Sequence, residues 1–397
     1  VGWVSPIPAE HADAYRQQGY RADQRVGVAG LEAWGESILA GQNGGRLSLT
    51  AEDNSYVGKL AERPAKRGRP IYTTIDRDLQ HQAELMLGDR PGAVVAVDVN
   101  TGAVLAMTSG PGFDSNIFVR STEEWQRMAV LNDPNQPLVN RAIQGQYPAG
   151  SVFKIVTLAA ALGAGNLSPE TTFNCPGYWD GLGEANRKMC WLETGHGELS
   201  LRNGLTASCN VVFYNAGTAL HNASPGALSE FGAAFGFGEA TGLATLSEAD
   251  GLMPGPGWKE SVYQAGWSVG DTVNLSIGQG YLLVTPLQIA RMVASVANGG
   301  TLYRPYLIER IAAGEAGEPE EVTRPNVVGQ LPVSGNHLAI IQDAMLGVTT
   351  NPSIGTATHR FRGLDVAVAG KTGTAETARE TDQPHSWFAG YFPADAP

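Results

Sequence analysis

Cysteine is scarce: Cys175, Cys190 and Cys209 are the only three in 397 residues, and no CxxC pair occurs. The seven histidines form neither HExxH nor a Cys/His zinc spacing. The sequence therefore offers no local metal-ligand motif, and no metal or cofactor is expected. Charge is also thin, at 17% of residues against about 25% in an average globular protein. Positive charge is the scarcer sign: 27 basic residues face 39 acidic ones, for a net charge of −12. The densest basic cluster is Lys66, Arg67 and Arg69, which reads as part of a solvated linker. No nucleic-acid partner is expected from such a surface. No apolar run reaches the about 18–20 residues of a membrane span, and no signal peptide is visible.

Glycine, by contrast, is abundant at 50 residues, roughly twice its average share. Hydrophobic residues make up 43%, too apolar a mix for disorder. At about 100–200 residues per domain the length suggests two or three domains. Leu31–Leu39 has the spacing of a short amphipathic helix, and 62–70, with two prolines, reads as a linker. Asp76 is a plausible N-cap for a helix over Arg77–Leu87. Gly92–Val99 and Ala103–Met107 read as a hairpin turned at Asn100-Thr101-Gly102. Ser151–Leu162 is a strongly apolar helix closed by Gly163 and Gly165. Helices are also expected over Arg202–Leu220 and Thr285–Ala297, the latter with Pro286 in its first turn. Leu364–Ala369 and Ser386–Phe392 read as short buried strands. Strands at both ends of a helical middle suggest an α+β fold. Cys175 and Cys190 flank a polar, glycine-rich stretch. Two readings of the pair stay open, a disulfide in an oxidising compartment or two free thiols.

Three pieces carry chemistry. Ser151 opens an apolar helix and Lys154 follows three residues on, so both lie on one face. A serine hydroxyl needs a base, and a lysine kept neutral by burial and a second cation can be one. Ser208-Cys209-Asn210 offers a hydroxyl able to relay a proton and an amide able to hold a carbonyl. Cys209 itself reads as a packed helix residue. Lys371-Thr372-Gly373-Thr374 follows an apolar run. A strand ending there could bind an extended peptide along its edge, with the two threonines on a carboxylate. A phosphate-binding P-loop is excluded, because Asp365 stands where its first glycine is required.

In the order SxxK, SxN, KTG, these pieces resemble the motif set of penicillin-binding proteins and β-lactamases. The chain resembles a class B penicillin-binding protein, a peptidoglycan D,D-transpeptidase. Gly30-Leu31-Glu32, Thr74-Ile75-Asp76, Phe113-Asp114-Ser115-Asn116, Gly278-Gln279-Gly280 and Thr285-Pro286-Leu287-Gln288 fit the family's ordered landmarks. The resemblance implies an α+β fold with a central, mainly antiparallel sheet flanked by helices and a helical subdomain. It implies an incomplete non-catalytic module over 1–70. A transpeptidase domain over 71–397 would lack its last strand and C-terminal helix.

It also implies roles. Ser151 would be the nucleophile, Lys154 its base, and Ser208 the relay to the leaving amine with Lys371 beside it. Asn210 would hold the acyl chain's amide. Thr372, Gly373 and Thr374 would receive the terminal carboxylate, and the backbone N–H groups of Ser151 and Thr374 would form the oxyanion hole. Implied partners are peptidoglycan stem peptides, β-lactam antibiotics and other wall-synthesis membrane proteins, with no cofactor. The implied location is the extracytoplasmic face of the bacterial cell membrane, with an anchor preceding Val1. A carboxypeptidase or β-lactamase on the same scaffold is the alternative. The absence of an ExxLN base motif, and Asn210 where class D enzymes carry Val or Ile, favour the transpeptidase. A non-catalytic scaffold would be expected to have lost the serine or the lysine.

Overall fold

The computed structural model describes residues 1–120, 124–164, 167–315, 317–376 and 383–397. At the N-terminal end, strands Gly2–Pro6 and Arg25–Ala29 pair antiparallel, and helix Gly30–Leu39 packs against both. This helix is the amphipathic segment expected at 31–39. A long hairpin, Gly45–Thr50 with Tyr56–Arg63, follows.

The segment at 62–70 is not a free linker. It finishes the hairpin, bridges back through Lys66 to Gln42, and anchors Arg69. The Arg69 guanidinium donates to Ala312 O, Pro319 O and Glu321, at 2.8, 2.8 and 2.7 Å. Two of these acceptors are backbone carbonyls on the far side of the sequence, which no local reading of charge can find.

Asp76 caps helix Arg77–Leu87, its carboxylate accepting from the N–H groups of Asp78 and Leu79 at 2.9 Å. Hairpin Gly92–Val97 with Val104–Gly110 follows, and Gly102 in its turn has φ +80°. A second hairpin, Ala369–Ala375 with His385–Tyr391, lies near the other end of the chain. Both rest on helix Pro286–Ala297. Its N-cap Thr285 accepts from Gln288 N, and the Gln288 side chain returns the bond to Thr285 N. The same Gln288 amide donates to Glu239 O and Asp250 O, so this buried side chain is fully used.

Between the hairpins sits the helical middle, as an α+β organisation requires. Helix Lys154–Gly163 runs through its centre, with every residue from Lys154 to Leu162 buried. Helices Asn210–Ala223, Ala227–Ala234 and Gly335–Thr350 surround it. Ile155, Val156, Leu158 and Leu162 each contribute roughly 1.5–3 kcal/mol by burial. The helix ends at Gly163; Gly165 lies outside the described residues.

Two expectations are corrected. The helix expected over 202–220 is two helices, Leu201–Thr206 and Asn210–Ala223, broken at Ser208, whose φ is +53°. Hydrophobic periodicity runs through the break because both helices bury the same side. The strand expected at 364–369 starts only at Ala369 and continues to Ala375. Leu364 and Val366 are exposed. Lys371-Thr372-Gly373-Thr374 therefore lies inside the strand rather than after it. No helix among the described residues is long and apolar enough to cross a membrane.

Candidate active site

Helix Lys154–Gly163, the break at Ser208 and strand Ala369–Ala375 converge on an open cleft of about 880 Å³. Ser151 reaches it from a single 3₁₀ turn, Gly150–Phe153, that leads into the helix. Gly150 has φ +54°, and its N–H donates to Gly278 O at 2.9 Å. A β-carbon there would meet Thr374 O at 2.7 Å. One on Gly373 would meet Val152 at 2.9 Å. Bare backbone at both positions lets the Ser151 turn lie flush against the strand.

Lys154 is fully buried. Its Nζ donates to Ser208 O at 2.8 Å and to Asn210 Oδ1 at 2.7 Å, over the face of Phe213. Burial brings the amine down to about 7, against the opposing pull of the nearby Cys209 and Cys190 thiols. Ser151 Oγ makes no hydrogen bond to another described residue. A neutral amine has two hydrogens and one lone pair. Its hydrogens are committed to Ser208 O and Asn210 Oδ1, so its lone pair is left for a proton.

Lys371 is also fully buried and donates to Ser208 Oγ at 2.7 Å and to Thr372 O at 2.9 Å. Burial first, and the charge of Lys154 second, push it well below the ordinary lysine range. Ser208 thus stands between two lysines, one on its carbonyl and one on its hydroxyl. Its left-handed backbone, costing about 1–2 kcal/mol for a residue other than glycine, is what turns those two groups toward opposite partners. Thr372 and Thr374 alternate with buried Lys371, Gly373 and Ala375 and line the cleft. Thr372 Oγ1 is hydrogen-bonded to Thr356 Oγ1 at 2.7 Å.

Residues 92–397 match the penicillin-binding protein transpeptidase domain, and residues 1–73 the penicillin-binding protein dimerisation domain. The chain belongs to the penicillin-binding protein transpeptidase family. It is 33% identical over 393 residues to the peptidoglycan D,D-transpeptidase MrdA of Escherichia coli K12, covering 97% of this chain and 61% of MrdA. It thus spans less than two thirds of that relative's length. It is similar to the crystal structure of Pseudomonas aeruginosa PBP2 in complex with WCK 5153, at TM-score 0.82 and 31% identity over 100% of this chain and 81% of the other. It is similar to Helicobacter pylori PBP2 in its complex with MreC, at TM-score 0.85 and 28% identity over 100% and 71%. The penicillin G acyl-enzyme of penicillin-binding protein A from M. tuberculosis aligns with TM-score 0.70 and 28% identity, over 83% and 73%.

In this member of the transpeptidase family, the cleft is lined by Ser151, Ser208, Asn210, Thr372, Gly373 and Thr374, with Lys154 and Lys371 directly beneath. It also holds Lys188, Asn274, Thr356 and Glu376, which the sequence did not single out. They carry no local motif and are assembled from distant segments.

The fold also brings together a candidate metal-ligand set that no sequence spacing showed. Cys175, Cys190, His196 and Cys209 place their donor atoms within 4.8 Å of one another. The Cys175 and Cys190 sulfurs each lie 3.6 Å from His196 Nδ1, and Cys190 Sγ lies 4.0 Å from Cys209 Sγ. All three cysteines are free and buried, so the Cys175–Cys190 disulfide reading gives way to a four-donor cluster. Three sulfurs and one imidazole form a recurrent structural zinc set. Ligands at about 2.0–2.3 Å on tetrahedral vertices stand about 3.5–3.8 Å apart. The Cys209 S–H beside Cys190 favours the Cys190 thiolate. A spacing scan misses the cluster because its donors come from four separate segments.

Proposed function

We propose that this chain is a peptidoglycan D,D-transpeptidase working through an acyl-enzyme on Ser151. The observation that carries the reading is Lys154, fully buried one helical turn from Ser151, with both hydrogens of its neutral form committed and its lone pair left for a proton. Lys154 takes the Ser151 proton as Oγ attacks the carbonyl between the last two D-alanines of a stem peptide. The N–H groups of Ser151 and Thr374 face the developing oxyanion. The proton that Lys154 took is relayed through the Ser208 hydroxyl, its oxygen held by Lys371, to the departing D-alanine amine, which leaves Ser208 and Lys154 as they began. Thr372 and Thr374 hold the terminal carboxylate, with Lys371 beneath them. Asn210, with one Nδ2 hydrogen remaining, holds the acyl chain. An amine of a second stem peptide then takes the acyl group and forms the cross-link. A β-lactam enters as the D-Ala-D-Ala end and remains bound.

Residues 1–70 form the non-catalytic module and 71–397 the transpeptidase domain in this reading. The site acts on the extracytoplasmic face of the membrane, with wall-synthesis proteins as partners. The decisive experiment incubates the protein with donor and acceptor stem peptides and follows products by mass spectrometry. D-alanine release with a cross-linked dimer is the expected result, together with a penicillin adduct on the tryptic peptide containing Ser151. Release without a dimer would make the protein a carboxypeptidase. Neither release nor adduct would leave the scaffold reading.

We further propose that the Cys175, Cys190, His196 and Cys209 cluster holds one zinc ion. Three buried reduced thiols in an oxidising compartment are best explained by a metal that occupies them. Elemental analysis of protein purified without chelator is expected to find about one zinc per chain. Chelation is expected to lower the melting temperature by several degrees. Metal-free protein that melts unchanged would refute the site.

A further inference from the structure

Lys188 lies on the short strand Lys188–Met189, which pairs with Tyr178–Trp179. Its Nζ donates to Asn274 Oδ1 at 2.8 Å. Asn274 belongs to helix Val269–Leu275, so the ammonium is held between two walls of the cleft. An ammonium has three donors, and this is the one hydrogen bond Lys188 Nζ makes among the described residues. No described carboxylate lies within ion-pair distance of it. Lys154 and Lys371 are committed to Ser208 and its neighbours. Lys188 is thus a half-buried cation open to an anion from outside the chain.

Its position relative to the substrate follows from Asn210. Asn210 Nδ2 donates to Met189 O at 3.3 Å, so the side chain assigned to the acyl chain's amide touches the residue after Lys188. That amide joins the penultimate D-alanine to the third residue of the stem. The third residue therefore passes alongside Met189 and Lys188. Neighbouring residues are spaced by about 3.8 Å, a scale that a long third side chain covers.

We infer that Lys188, positioned by Asn274, is a specificity-determining residue that binds a free carboxylate on the side chain of the third stem residue. The substrate class is then a stem peptide of the diaminopimelate type with that carboxylate unamidated. An L-lysine stem presents its ammonium there with no carboxylate beside it. This inference rests on the transpeptidase reading.

The test uses the full chain and three donor pentapeptides. They carry diaminopimelate, diaminopimelate with its side-chain carboxyl amidated, or L-lysine at position three. D-alanine release gives kcat/KM for each. The wild-type protein is expected to prefer free diaminopimelate by about 10- to 100-fold, the span of one hydrogen bond between charged groups. In Lys188→Met that ratio is expected to fall toward one, whatever the absolute rate, and Lys188→Arg is expected to keep most of it. A ratio unchanged in Lys188→Met would overturn the proposal. So would a wild type without preference. Penicillin carries no third residue. Labelling of the wild-type protein therefore reports on the transpeptidase reading alone and separates its failure from that of the Lys188 assignment.

Discussion

Lys154→Met is expected to slow acylation by penicillin about 10²- to 10⁴-fold, the usual worth of a positioned general base. Methionine keeps the length and most of the volume of the buried side chain, so helix Lys154–Gly163 should survive. The substitution removes the lone pair that takes the Ser151 proton and frees Ser208 O and Asn210 Oδ1 of their donor. The same argument fixes the pH dependence of the unmodified protein. Lys154 is a base only when neutral, and burial brings it to about 7. The acylation rate should be flat above that pH and fall about tenfold per unit below it, reaching roughly 1% of the plateau two units lower. Stopped-flow fluorescence with a reporter β-lactam measures both. A rate that is flat from pH 5 to 8, or a near-normal Lys154→Met, would place the base elsewhere.

Gly278→Ala is expected to cost about 100-fold or more in the same acylation rate, although residue 278 never touches substrate in the mechanism above. Gly278 has φ +73°, and a β-carbon there would stand 2.1 Å from Gly150 O. That oxygen belongs to the peptide group immediately before Ser151. Relief of the clash has to move the nucleophile turn, and a misplacement of about 1 Å is worth about 10² in rate. The left-handed backbone adds about 1–2 kcal/mol of lost stability, visible as a lower Tm. Gly299→Ala provides the comparison. Its φ is +82°, yet nothing lies within 4 Å of the added carbon. It should show the loss of Tm without the loss of rate. Equal rates in the two variants would show that the turn tolerates displacement.

Much of this site was legible because its chemistry is written in short segments. The Ser151–Lys154 pair needs one helical turn, and Lys371 to Thr374 needs one strand. Asp76 announced its helix because a capping side chain acts within three residues, and Pro286 marked the first turn of another. What escaped was assembled across the chain. Arg69 reads as a solvated charge until Ala312 O and Pro319 O are placed beside it. Four metal donors spread between Cys175 and Cys209 have no common spacing to recognise. Lys188 earns a role only when Asn274 and Met189 are seen around it. The expected strand at 364–369 was drawn to the apolar Val366–Ala369 run, whereas pairing with His385–Tyr391 decides where the strand begins.

The backbone of Ser208 has a consequence for how this protein can change. Its left-handed conformation suits glycine or asparagine better than serine. Random substitution followed by selection for robustness alone would therefore find relief at position 208. The hydroxyl that answers Lys371 would be lost in the same step. Thermal hardiness and the proposed acyl transfer pull this one residue in opposite directions, so a hardened variant must find its gains elsewhere in the fold.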